Sequence, residues 1–192
     1  MSEFVKIVRL PPMKVVSFHS MGEFLGNPEE KAIAKMVAWA KPKGLLSNPT
    51  KHQIFGFNNP NPPIDEEGIP EPNKTYGYEF WITIGKNFKT EDDVDIKTVD
   101  GGSYAVMTCR VENPVDIGKT WGRLARWIQK SEKYDFHPNL KGLKSHYDKD
   151  HFEHGITGLE NHLNLLEIPS KGKPWKLQEK FIMDIYVPII ER

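Results

Sequence analysis

Cysteine is nearly absent from this chain: among 192 residues only Cys109 carries a thiol. One thiol excludes an internal disulfide and any zinc site built from several cysteines, and its place in an apolar stretch predicts a buried, inert group. Net charge is missing as well, because 26 Lys and Arg balance 26 Asp and Glu. Without a long-range positive field, direct nucleic-acid binding is not expected. No run approaches the ~18 apolar residues that span a bilayer, and Met1-Ser2-Glu3-Phe4 lacks the basic-then-apolar layout of an export signal. The expectation is a soluble, cytoplasmic protein with no membrane partner. A G-x-S-x-G elbow, a P-loop, a dinucleotide glycine fingerprint and a Cys-His pairing are all absent, so nothing supports a Ser or Cys nucleophile or nucleotide chemistry. Aromatic residues are plentiful: 5 Trp, 6 Tyr and 10 Phe, in a chain that is 38% hydrophobic and 27% charged, describe a sequence that folds.

Periodicity divides the chain into two similar halves. Residues 5–10 alternate, Pro11-Pro12 interrupts, and 14–18 is a second β-branched run, which predicts two strands. Asn27-Pro28-Glu29-Glu30 is a helix start: Asn caps, Pro suits the first position, and acids match the positive end of the helix dipole. Ile33, Met36, Val37 and Ala40 follow at helical spacing until Pro42 and Gly44 stop the element, and strands are predicted at 52–57 and 76–84. The order then recurs. Residues 94–99, a Gly101-Gly102 turn and 103–107 give a strand pair, Asn113-Pro114 restates the helix start, and Ile117, Trp121, Leu124, Ala125 and Ile128 form one apolar face. Strands at 163–168 and 181–187 close the second unit. The predicted fold is α+β, a β-β-α-β-β unit used twice about a pseudo-twofold axis, with antiparallel sheets, one main helix per half and a ligand cleft between the halves. Residues 1–192 are read as one domain, with repeats near 1–90 and 91–192. A single irregular α+β domain is the alternative.

Two segments stand outside the repeat. Residues 58–73, rich in Pro, Asn and acids, read as a surface loop, and 136–158 reads as a His-bearing insertion at the rim of the cleft. His146, His151, His154 and His162 lie near Asp148, Asp150 and Glu153, but without an ordered metal-ligand spacing. No metal and no cofactor are expected, and these histidines are read as solvated rim residues.

Within strand 76–84 the period of two sets Tyr76, Tyr78, Phe80, Ile82 and Ile84 against Gly77, Glu79, Trp81 and Thr83. Glu79 and Trp81 beside the small Gly77 would offer a planar cation a flat ring next to a charge; the competing reading is a half-exposed sheet face. Trp121 and Trp127 are assigned to the core, while Trp39, near the end of the first helix, is carried as a possible cleft wall.

Several stretches carry a family likeness. Tyr78-Glu79-Phe80-Trp81-Ile82-Thr83-Ile84, Gly101-Gly102-Ser103-Tyr104-Ala105-Val106, the helix with Trp121, Leu124, Trp127, Ser131 and Tyr134, and Asp184-Ile185-Tyr186-Val187-Pro188-Ile189 together resemble GyrI-like proteins. That resemblance implies the SHS2-repeat fold, which also forms the ligand-sensing half of multidrug-responsive activators. It further implies a buried acid on the penultimate strand, at about Glu167, although Pro169 follows where the family commonly has Tyr. It leaves no room for the activators' helix-turn-helix and so implies a stand-alone member. Glu167 would share a strand face with Leu163 and Leu165, where an unpaired carboxylate is costly and a cationic ligand would pair it; an edge carboxylate in water is the alternative.

Three functions follow as expectations. The first is binding of hydrophobic, aromatic or cationic compounds for sensing or sequestration, with Glu167, Trp81, Glu79, Tyr78, Trp39 and Tyr104 as candidate contacts. The second is a hydrolase of electrophilic, cyclopropanoid-type aromatic natural products, with Glu167 as the catalytic acid-base and Tyr78 or Tyr104 as an auxiliary donor. The third is a gyrase-inhibitor-like interaction module with a protein partner.

Overall fold

The first strand signals are realised as β1 (Lys6–Leu10) and β2 (Met13–Glu23) on either side of Pro11-Pro12. These elements belong to a computed structural model that describes residues 4–23, 26–63, 71, 73–137, 158–167 and 174–192. Helix α1 (Pro28–Ala40) starts where expected: the Asn27 side chain accepts the Glu30 N–H, and Pro28 fills a first-turn position that needs no donor. Its buried stripe is Ala32, Ile33, Met36, Val37 and Ala40, one face of a 3.6-residue period. Strands β3 (Ile54–Asn58) and β4 (Thr75–Ile84) complete the half.

The second half opens with β5 (Asp95–Val99), β6 (Gly102–Val111) and α2 (Val115–Gln129). Its helix entry is built differently. Pro114 offers no side-chain cap, and Asp116 Oδ2 instead accepts the N–H groups of Glu112 and Asn113 at 3.0 Å each, tying down the incoming loop. The remaining strands are β7 (Tyr134–Phe136), β8 (Leu159–His162), β9 (Leu166–Glu167), β10 (Lys176–Leu177) and β11 (Phe181–Glu191).

The strand expected at 163–168 is displaced. The chain pairs with β11 through β8, ending at His162, and only Leu166–Glu167 is extended beyond it, paired with β10 in a separate two-stranded ribbon. The cause is local: Asn164 Oδ1 takes the Ile182 N–H at 2.6 Å, so a side chain rather than backbone receives the next donor of β11.

Among the described residues the main sheet runs β1-β6-β11-β8-β3-β4-β2-β5, with β7 added on β11, and every pairing is antiparallel. The order is consistent with the repeat: β6, β11 and β8 mirror β2, β4 and β3, and each half's first strand is lent to the other half's second. The α+β class and the large antiparallel sheet with two helices are as the sequence predicted.

Three cores result. Helix α1 covers Val16, Phe18, Tyr78, Phe80, Ile82 and Ile84, and α2 covers Ala105, Met107, Cys109, Met183, Ile185 and Val187. The third core lies on the sheet face that carries neither helix, where Val15, Phe55, Trp81, Tyr104, Leu159 and Tyr186 come together from both halves. This face is dry at its centre: Trp81 and Tyr104 have no exposed surface. Cys109 is buried, and burial raises its thiol pKa, as the inert reading requires.

Candidate ligand-binding site

Between the N-terminal ends of α1 and α2, on the helix-bearing side of the sheet, is a cavity of 360 Å³. Its apolar wall comes from Ile33, Phe80, Ile117, Leu165, Leu177, Phe181 and Met183, and its polar groups include Glu29, Glu30, Tyr78, Glu160 and His162. No Lys or Arg is found among the described residues that line it. Size and mixed lining are those of a small-molecule pocket.

Glu160 lines the cavity because alternation along β8 turns Glu160 and His162 to one face while Leu159 packs into the helix-free core on the other. Its carboxylate is held by two donors: Tyr78 Oη donates to Oε2 at 2.6 Å, and Trp121 Nε1 donates to Oε1 at 3.0 Å. Each half of the molecule thus contributes one donor. Burial raises the Glu160 pKa, the two donors oppose that by favouring the charged form, and the nearby Glu29 carboxylate raises it further. Burial also pushes the Tyr78 phenol well up, with the charge of Glu160 adding to it. At the mouth, Glu29 accepts from Tyr76 Oη at 2.8 and 2.9 Å, and Asn27 Nδ2 donates to Glu30 at 2.9 Å. These acids offset the positive ends of the two helix dipoles that point here.

His162 is the second polar group of the floor. Its side chain is 4% exposed, its ring lies 5.3 Å from that of Phe80 and 6.0 Å from that of Phe181, and neither nitrogen has a hydrogen-bond partner. Burial holds its pKa down to about 3. In the unfolded chain an imidazole titrates near ~6.5, so the neutral buried ring supports the fold above that pH. The support is lost as pH falls toward about 3, at about 1.4 kcal/mol per pH unit. His162→Phe is therefore expected to flatten the stability profile between pH ~6 and ~4. Denaturant melts across that range check this, and an unchanged slope would count against a neutral buried ring.

The structure relocates most of the candidate contacts. Glu167 is exposed on the β9–β10 ribbon, opposite Lys176, because the strand that should have buried it is not part of the main sheet. The acid on the main-sheet strand next to β11 is Glu160. Glu79 and Trp81 lie on the opposite sheet face from the cavity and are 1% and 0% exposed, so they form no open stacking surface and no carboxylate pair with Glu167. Glu79 instead accepts from Ser17, Asn59, Trp81 and Lys97, each at 2.5 Å. Tyr104 is wholly buried in the helix-free core with its hydroxyl unpartnered, away from the cavity. Trp39 is half-buried on α1, donates to Asp92 at 2.9 Å and packs on Phe18 rather than walling the cleft. Of the candidates, Tyr78 lines the cavity. His162 is part of the floor rather than a solvated rim residue; of the insertion read at 136–158, Phe136 belongs to β7 on the main sheet, and residues 138–157, with His146, His151 and His154, lie outside the described residues.

Sequence reasoning did not single out Glu160, took His162 for a rim residue and left Trp121 to the core. The usable signal was the Glu-x-His spacing at 160–162, which places two polar side chains on one strand face. Trp121 was assigned to the core because it stands on the apolar stripe of α2; its ring does pack there while its N–H reaches Glu160.

With fold and site described, comparisons with known proteins place the chain. Residues 6–189 match the family model Cass2, integron-associated effector binding protein. The chain belongs to that effector-binding family. It is 21% identical over 127 residues, 66% of its length and 78% of the relative's, to the SPbeta prophage-derived YosT of Bacillus subtilis (strain 168), a candidate transcriptional regulator. Its fold resembles the EcmrR C-terminal domain, with a TM-score of 0.58 and 12% identity over 100% of both chains. It also resembles a hydrolase encoded by lin2189 of Listeria innocua, with a TM-score of 0.58 and 12% identity over 97% of this chain and 91% of that one.

Proposed function

We propose that this effector-binding domain takes a hydrophobic, aromatic cation into the cavity between α1 and α2, for sensing or sequestration of such compounds, with Glu160 as the counter-charge. The observation that carries the reading is a carboxylate, 13% exposed, set among aromatic and aliphatic walls, with its only described charged neighbours at the cavity also acidic. An ionised carboxylate held in such a place is short of positive charge, and a ligand that supplies it gains more than it would in water. Tyr78 and Phe80, 4.9 Å apart between ring centroids and tilted by 50°, give the cavity an aromatic wall.

Glu160→Gln keeps the shape and both donors but removes the charge. It is expected to weaken an aromatic ammonium dye by about 30- to 100-fold, roughly 2–3 kcal/mol, while a neutral dye of the same outline changes less than about threefold. Glu167→Gln, on the exposed ribbon, should leave both unaffected. Because the acid binds a cation in its ionised form, cation affinity should fall as pH drops through the raised Glu160 pKa, and neutral-dye affinity should stay flat. Equal loss of both dyes in Glu160→Gln would reject the charge argument.

A second reading rests on one distance. His162 Nε2 stands 4.0 Å from Glu160 Oε2, both facing the cavity, so a water between them could be activated for hydrolysis of an electrophilic aromatic compound. Its signature is a product heavier by one water that disappears in Glu160→Gln; intact ligand recovered from the wild type points back to binding.

A further inference from the structure

The cavity floor carries more specificity than a lone carboxylate can provide. Glu160 and His162 project from the same face of β8, and the nearest atoms of the two side chains, Oε2 and Nε2, are 4.0 Å apart, too far for a direct hydrogen bond. Glu160 Oε2 already accepts from Tyr78 and keeps a further lone pair, whereas both ring nitrogens of His162 are buried without any partner. Burial without a partner is costly for an imidazole, and a site retains such a group when something else is meant to meet it.

Gly56 on β3 is part of the arrangement. A Cβ there would lie 2.6 Å from the Tyr78 hydroxyl and 2.8 Å from His162 Nε2, so a bare backbone at this point lets the two polar ends lie together. Any side chain would drive them apart. The Tyr78 hydroxyl, His162 Nε2 and Glu160 Oε2 therefore converge on one spot in the floor, where the hydroxyl donates to the carboxylate and the imidazole and carboxylate are open to a further donor.

We propose that Glu160 and His162 form a two-acceptor clamp for a protonated amine bearing at least two N–H bonds, so that the site selects primary and secondary ammonium ions over quaternary ones. A single nitrogen seated between acceptors 4.0 Å apart can reach each at an ordinary charge-assisted length of ~2.8 Å. A neutral imidazole supplies the acceptor on one side and the carboxylate the charge on the other. A trimethylammonium group keeps the charge but presents only methyl groups, which cannot satisfy His162 and are too broad for the gap. Tertiary amines, with one N–H, satisfy one acceptor and rank between. The inference rests on the cation-binding reading and adds the class of cation.

The test is calorimetric titration of the full chain with three probes of one aromatic outline: 1-naphthylmethylamine, its N,N,N-trimethylammonium analogue and neutral 1-methylnaphthalene. The wild type should prefer the primary ammonium to the quaternary one by about tenfold or more. His162→Phe, which keeps a ring against Phe80 and Phe181, should erase that preference by weakening the primary amine alone, and His162→Gln, which restores an acceptor, should recover part of it. Quaternary binding equal to or tighter than primary in the wild type would overturn the clamp while leaving the cation site intact, as would equal losses for both cations in His162→Phe. Neutral 1-methylnaphthalene binding as tightly as both cations would overturn the cation reading and the clamp with it.

Discussion

Gly77→Ala destabilises the protein by about 3 kcal/mol or more, at or beyond the upper end of the usual overpacking cost. A Cβ at Gly77 would stand 1.8 Å from the Asn59 carbonyl oxygen and 2.6 Å from His19 Nε2. The first of these is backbone, so no rotamer change removes the overlap. Asn59 and Gly77 are moreover tied to each other, since Asn59 N–H donates to the Gly77 carbonyl at 2.7 Å and Gly77 N–H donates to the Pro60 carbonyl at 3.1 Å. The overlap can be relieved only by parting the end of β3 from β4. Because β4 holds Tyr78 at the cavity and Glu79 on the opposite face, the displacement should reach both. Urea melts of the variant check the magnitude, and a loss under ~1 kcal/mol would show that the two strands separate easily.

The second large effect belongs to Glu79. Its carboxylate gathers Ser17, Asn59, Trp81 and Lys97 on the helix-free side, with the carboxylate 1% exposed and Lys97 14% exposed. Burial works against its ionisation, but Lys97 and the hydrogen bonds from Ser17 and Trp81 outweigh it, and the net effect is a lowered pKa. A carboxylate with a depressed pKa supports the fold at pH above its unfolded value and withdraws that support as pH falls through the folded one. Glu79→Ala leaves an indole N–H and two further donors with no acceptor and the Lys97 ammonium with the more distant, exposed Asp95 carboxylate at 3.4 Å, at a cost of about 3–5 kcal/mol. The double change Glu79→Leu with Lys97→Met should recover much of this, because a buried pair replaced as a unit costs far less than one broken. If the double variant is as unstable as Glu79→Ala, the damage comes from packing rather than from the stranded charge.

Neither residue reads this way from sequence. The period of two along β4 correctly separates Tyr78 and Phe80 from Glu79 and Trp81, yet it says nothing about what covers each face. The face with the acid and the Trp shares its core with strands of the other half: Tyr104 and Tyr186, far away in the chain, belong to the same buried cluster as Trp81. Burial there comes from long-range strand exchange, with β1 on β6 and β5 on β2, and no local pattern records it. Elements whose cause is local were legible. Asn27-Pro28 starts α1 through a side-chain cap, and the apolar stripes of α1 and α2 face the sheet as their spacing requires.

The acid at 167 failed for a similar reason. Leu163 and Leu165 around Glu167 imitate a half-buried strand, but the ladder to β11 is made by Leu159–His162 and ended by a side-chain bond from Asn164. Apolar alternation pointed to 163–168 rather than to Leu159–His162 because β8 turns Glu160 and His162, both polar, to its cavity face. A strand that turns polar groups into a cavity loses the hydrophobic pattern that would announce it.

The most direct test is a crystal structure of the protein with a hydrophobic primary ammonium compound. The ligand should lie between the N-terminal ends of α1 and α2, its nitrogen within hydrogen-bonding distance of Glu160 or His162 and its rings against Phe80. A ligand seated elsewhere, on the helix-free face or along the exposed ribbon at Glu167, with that cavity left vacant, contradicts the account.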